Sequence, residues 1–190
     1  MSLQVETIND GEADKIQLLE EGQFADVKGK EKAPRSLSED ISAFANADGG
    51  DLYIGITDQE RYWKGFENVE AANGFIQLFE ELFPLGNYFQ YNFLRCNSKK
   101  GLVLHVAIEK TQTVMKASNG KPYIRRGAQS LPVDTHEKFR RLELAKGIAS
   151  FESELANVHK EVITESSVTK KFIQEVAPQQ LPNLGSENSF

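Results

Sequence analysis

The sequence predicts an α+β fold, a mixed and largely antiparallel sheet packed with helices. Three observations carry this. Helical and strand-like segments interleave, but without the strict alternation of a doubly wound nucleotide fold. Four strand-like segments follow one another between residues 88 and 126, around turn sequences that close hairpins. The 190 residues are 39% hydrophobic and 26% charged, which suits one globular domain with a tail.

Residues 13–21 place Ile16, Leu18 and Leu19 on a short helical face that Gly22 stops. Residues 23–28 alternate around Phe24 and Val27 as a strand, followed by a charged loop over 29–36. Residues 36–47 read as a helix: Ser36 and Glu39 have capping-box spacing, and Leu37, Ile41, Phe44 and Ala45 form a buried stripe. Asp48-Gly49-Gly50 ends that helix, since glycine accepts the left-handed conformation needed there. Residues 51–57 follow as a strand with Leu52, Ile54 and Ile56 on one face and Asp58 at its end. Residues 69–83 are a helix that Pro84 and Gly86 terminate. Residues 88–96 and 101–109 read as a hairpin around 97–100. Residues 113–117 and 121–126 bracket Ser118-Asn119-Gly120 and predict a second hairpin closed by an Asn-Gly turn. A basic helix spans 135–148, with Asp134 as its N-cap. Residues 149–165 continue as an amphipathic helix, and from Ser166 the Pro/Gln/Asn/Ser-rich tail reads as disordered. The expected organisation is a domain over 1–148 with a helix and tail over 149–190.

Cys96 is the single cysteine, which excludes an internal disulfide and a multi-cysteine zinc site. No stretch approaches the ~18 apolar residues of a membrane span, and the first ten residues lack a signal-peptide core, so no membrane partner and a cytoplasmic location are expected. The net charge of −6 argues against a nucleic-acid ligand until it is divided by segment. Residues 1–109 carry −9, residues 110–146 carry +6 and residues 147–190 carry −3. One short stretch is therefore strongly basic inside an acidic chain.

The densest motif is ISAFANADGGDLYIGITD, residues 41–58, in which a helix, a Gly-Gly turn, a strand and a terminal aspartate follow without slack. Gly49 and Gly50 either expose amides that hold an anion or serve only as a helix cap and tight turn. The Asn46 amide is placed to lock that turn. Lys28, Lys30, Lys32 and Arg35 form a basic patch before the second helix, and Arg125 and Arg126 stand on a strand with Tyr123. Arginine pairs with phosphate and tyrosine stacks on an unpaired base. Strand alternation sends Arg125 and Arg126 to opposite faces. No phosphate-loop lysine motif is present, so no nucleotide cofactor is expected.

Residues 41–58, with Glu21, Asp26-Val27-Lys28, Gly65 and the Tyr123–Gly127 segment, resemble the Schlafen AlbA_2 (divergent AAA_4) domain over residues 13–145. The resemblance implies a nucleic-acid-binding module for DNA or RNA, of the kind found in transcriptional regulators. The residues expected to contact it, from the matched motifs and the basic patch together, are Lys28, Lys30, Arg35, Asn46, Gly49, Gly50, Tyr123, Arg125 and Arg126. It also implies an alternative, an endoribonuclease in which Glu21, Asp26 and Asp58 bind Mg²⁺ or Mn²⁺ and cut RNA. Residue chemistry leaves a second reading of those acids open, as solvated carboxylates with a salt bridge to Lys28. Because Schlafen cores pair lobes of this type, a homodimer without catalysis is a third implication.

Overall fold

The computed structural model describes residues 3–148, together with 167, 170 and 171. The chain divides into two units, Met1–Ser150 and Phe151–Phe190. The helix expected over 149–165 lies outside the described residues. So does the tail expected to be disordered from Ser166, apart from Ser167, Lys170 and Lys171, which are helical.

Strands β1 (Gln4–Ile8), β2 (Ala25–Lys28), β3 (Gly50–Ile54), β4 (Phe89–Cys96) and β5 (Leu102–Ile108) form an open sheet in the order β1-β4-β5-β3-β2. Its inner pairings, β4–β5 and β5–β3, are antiparallel, while β1–β4 and β2–β3 at the edges are parallel. A second sheet holds β6 (Tyr123–Arg126) and β7 (Gln129–Pro132), paired antiparallel. The fold is α+β with a mixed sheet, as expected.

Helices α2 (Pro34–Asn46) and α3 (Asn73–Leu82) cover one face of the large sheet. Leu37, Ile41 and Phe44 of α2 meet Phe75 and Phe79 of α3 over Leu52, Ile54, Phe93, Leu104 and Val106. Alternation along β4 and β5 sends Leu94, Cys96 and Val103 to the opposite face, where Ala13 of α1 (Asp10–Gln17) packs with Val27 and Trp63. The β6–β7 hairpin lies on the other side of α2, so that helix is buried on two sides. Its serine and asparagine residues at spacing four, Ser38, Ser42 and Asn46, face the hairpin and the segment leading to it.

Several details differ from the sequence reading. Residues 4–8 form β1, whose exposed side chains carry no hydrophobic period to announce it. Helix α1 begins at Asp10 because Asn9 and Glu12 form a capping box. Helix α2 begins at Pro34 without a side-chain cap; proline at the first turn loses no needed donor. The partner of β6 is β7, not residues 113–117. The Asn-Gly turn still closes, with the Gly120 amide on the Ala117 carbonyl at 2.8 Å, but the backbone of Met115 is taken by Ser42 and Asn46 of α2.

Helix α4 (His136–Ala145) is capped by the Thr135 hydroxyl, which accepts from the Lys138 amide at 3.2 Å; Asp134 instead pairs with the Lys138 ammonium. Past its end, Lys146 Nζ donates to the Ala45 carbonyl at 3.0 Å and to the Thr111 carbonyl at 2.6 Å, tying α4 to the end of α2. Burial, followed by repulsion from Lys110, pushes the Lys146 pKa down from 10.5 to about 8. Between those values the unfolded chain holds a proton that the folded domain has released, so this group makes stability rise with pH across that window. Melting curves of wild type and Lys146→Met should therefore diverge in favour of wild type from pH 8 to 10.5. A pH-independent difference would mean that the amine titrates alike in both states.

Candidate nucleic-acid interface

On β2, Asp26 and Lys28 point to one side, toward β6 and α2. Both are buried, so each charge needs a partner. The Lys28 ammonium bonds Asp26 Oδ1 and lies 3.6 Å from Glu21 Oε2. Burial alone lowers the Lys28 pKa; the Asp26 hydrogen bond and the charges of Asp26, Glu21 and Asp40 outweigh it and raise the value. Arg125, 1% exposed, brings NH2 to 2.9 Å from Asp26 Oδ2, a contact of opposite charges without hydrogen-bond alignment. Its Nε donates to the Gly22 carbonyl at 3.0 Å, its NH1 to Ser130 Oγ at 3.2 Å, and its guanidinium lies 4.6 Å from the Phe44 ring centroid. Ser130 passes the chain on to Asp40 at 2.6 Å, and burial raises the Asp40 pKa. Arg125 thus joins β2, α2 and β7 from within.

The Gly-Gly turn is equally committed. Gly49 has φ +80° and Gly50 φ +150°, and an added Cβ would stand 2.5 Å from the Ile108 carbonyl oxygen or the Phe24 carbonyl oxygen respectively. The turn therefore needs glycine for close backbone passage. The Gly49 amide is spent on the Phe44 carbonyl at 3.0 Å. Asn46 is buried and accepts from the Met115 amide at 2.8 Å while donating to the carbonyls of Met115 at 2.7 Å and Tyr123 at 2.8 Å. Tyr123 is buried too, its hydroxyl accepting from Asn119 Nδ2 at 2.9 Å.

The family model for Schlafen, AlbA_2 matches residues 21–134, which is 114 of the 190 residues. The chain belongs to the Schlafen AlbA_2 family. That family is broadly associated with nucleic acid. No curated protein matches the chain. Among solved structures, the crystal structure of the DIP2311 protein from Corynebacterium diphtheriae is similar at 17% identity and a TM-score of 0.48, covering 64% of this chain and 27% of that one. The chain thus spans about a quarter of the length of that protein.

The three carboxylates that the Schlafen AlbA_2 resemblance marks for a divalent metal are placed unequally. Glu21 and Asp26 share the Lys28 ammonium, and Glu21 also meets Arg61 NH2 at 3.3 Å. Asp58 stands apart from them in its contacts: it accepts from the Gly29 amide at 3.3 Å, reaches Lys32 at 4.0 Å and is 42% exposed. A hard cation needs several free carboxylate or carbonyl oxygens. Both Asp26 oxygens already face cationic side chains, and no group of three or more His, Cys, Asp or Glu side chains that could hold a metal occurs among the described residues. As arranged, the set does not fit Mg²⁺ or Mn²⁺.

Of the residues expected to contact nucleic acid in this Schlafen AlbA_2 domain, Lys28, Asn46, Gly49, Tyr123 and Arg125 are buried, and Gly50 is half-buried. Half-buried Lys30 donates to the Gly65 carbonyl at 2.6 Å and holds its loop. Arg35 and Arg126 are exposed. Alternation on β6 accounts for the split between Arg125 and Arg126. Beside Arg126, the hairpin and α4 enclose a cleft of about 240 Å³ that Lys138 and Arg141 also line. Neither the hairpin partner β7 nor this cleft was visible in the motif. The local signal was the charge of residues 110–146. In the 58–65 loop Trp63 is buried in the lesser core, whereas Tyr62 is exposed.

Two further polar groups have partners inside the fold. His105 stacks on Tyr53 at 4.6 Å and lies 2.7 Å from Asp51 and 3.0 Å from Asn92, linking β3, β5 and β4. Cys96 is buried against Asp10 and Ser98.

Proposed function

We propose that this domain binds nucleic acid by contacting phosphates through Arg126 on the hairpin and Lys138 and Arg141 on α4. The observation that carries the reading is the division of labour on β6. Arg125 is locked inside against Asp26, while its neighbour Arg126 is turned outward onto a cleft rimmed by two further cations. Arginine guanidinium matches phosphate in a two-pronged geometry, and lysine adds a point charge. Arg35 and Lys121 are exposed as well. The acidic remainder of the chain is partly silenced by internal pairing, as at Glu21 and Asp26, so the net charge of −6 does not oppose local phosphate contact.

Three phosphate contacts release bound counterions, and log affinity should fall with log salt at a slope of about −2 to −3. Fluorescence anisotropy of the full chain with labelled DNA and RNA, titrated from about 50 to 200 mM salt, measures that slope. The triple variant Arg126→Gln, Lys138→Gln, Arg141→Gln should bind weakly with a flattened slope. Wild-type binding that ignores salt would end this reading.

A further inference from the structure

The cleft between the hairpin and α4 is charged only at its rim. Its floor is apolar: Ile124 and Leu131 from the hairpin, Val133 after it and Leu142 from α4. Val133 and Leu142 are buried, yet Leu131 is left 41% exposed at the edge of the floor. The Arg126 side chain has no ion-pair or hydrogen-bonding partner among the described residues, its backbone pairing with Gln129. Among the described residues, Lys138 pairs with Asp134 at 2.7 Å and Arg141 with Glu137 at 2.5 Å, both exposed pairs one helical turn apart. Such pairs are weak, and a phosphate can displace either carboxylate.

This combination selects among nucleic-acid forms. A duplex turns phosphates outward and keeps its bases stacked inside, so it satisfies the rim and leaves the floor wet. An unpaired nucleotide offers both an anionic phosphate and a flat ring face. At about 240 Å³ the cleft is smaller than the roughly 300–1,000 Å³ of sites for drug-sized ligands, which suits one ring system better than a whole cofactor. An acidic peptide would meet the rim, but its carboxylates bring nothing planar and apolar for the floor.

Building on the phosphate-binding reading, we propose that the hairpin–α4 cleft receives one unpaired base, with Arg126, Lys138 and Arg141 on the flanking phosphates, so that the domain prefers single strands to duplex. The test uses the full chain at low salt with a 12-nucleotide A-rich strand as RNA, as DNA and as the blunt duplex of each, with 2-aminopurine at one central position. Single strands should bind about 10-fold tighter than duplexes, the order expected from burying one base face against aliphatic side chains. Leu131→Ala should weaken single-strand binding about 5-fold through lost apolar burial, leave duplex binding unchanged and abolish the 2-aminopurine emission change. Arg126→Gln should weaken both forms. A preference for RNA or for DNA names the sugar and supports the proposal either way. Equal binding of strand and duplex, with Leu131→Ala silent, overturns the base site while phosphate binding stands. Binding of neither form removes the phosphate reading and this proposal together. Displacement of the strand by polyglutamate as readily as by polyadenylate overturns the base site, because the cleft would then select charge alone.

Discussion

Asp26→Asn will cost the domain about 3–5 kcal/mol, the penalty for removing one partner of a buried ion pair. The carboxylate is 1% exposed and lies between the Lys28 ammonium and the Arg125 guanidinium. Without its charge, the carboxylate left to Arg125 among the described residues is the more distant Asp40 at 4.0 Å, beside its bonds to Gly22 and Ser130, and Lys28 keeps Glu21 at 3.6 Å. Neither cation can turn to water, because both are buried. Urea unfolding with an unchanged slope measures the loss. Adding Arg125→Met should recover part of it, since an apolar side chain over Phe44 needs no counter-charge. A loss below about 1 kcal/mol would mean that the carboxylate is hydrated and the network weak. The result also bears on tests of RNA cleavage. A variant at Asp26 that loses activity reports unfolding as readily as chemistry, whereas Asp58→Asn, at an exposed position, separates the two.

Asn46→Ala will cost about 2–4 kcal/mol. Its amide serves the Met115 amide and the carbonyls of Met115 and Tyr123. The Met115 carbonyl retains Ser42, but the Met115 amide and the Tyr123 carbonyl lose these bonds, at about 1–3 kcal/mol for each group left buried and unpaired. Asn46→Asp should not rescue stability, because a carboxylate still accepts from the Met115 amide but opposes both carbonyls. Thermal unfolding of both variants checks this, and limited proteolysis over residues 111–123 should show that segment released first. Wild-type melting of Asn46→Ala would mean that water replaces the amide at no cost.

Much of the architecture was legible locally. The periodicity of residues 36–47 and 88–109 specified the helix and hairpin that carry the main core, because apolar side chains must share a face to leave water. The Gly49-Gly50 pair announced a turn, and the positive φ values at both positions are its reason. Strand β1 was not legible, because an edge strand with exposed side chains has no buried face to impose a pattern. Nor was β7, whose four residues include exposed Leu131 and Pro132 and show no buried alternating face.

The candidate site divides the same way. The matched motif residues turned out to be largely interior, because motif spacing records which side chains must occupy given backbone places and not which face water. Tyr123 and Arg125 alternate inward on β6 to meet α2, while Arg126 alternates outward. Ser38, Ser42 and Asn46 share a helical face, yet their polar stripe becomes intelligible only when the hairpin segment covers it. The sequence by itself determined the α+β class, the main helices and strands, the glycine turn and the segregation of positive charge into residues 110–146. Only the tertiary structure decided which of those charges are buried in ion pairs and which stand at the surface. Pairing depends on low-dielectric contact between residues as far apart as Asp26 and Arg125, and no local pattern encodes that distance.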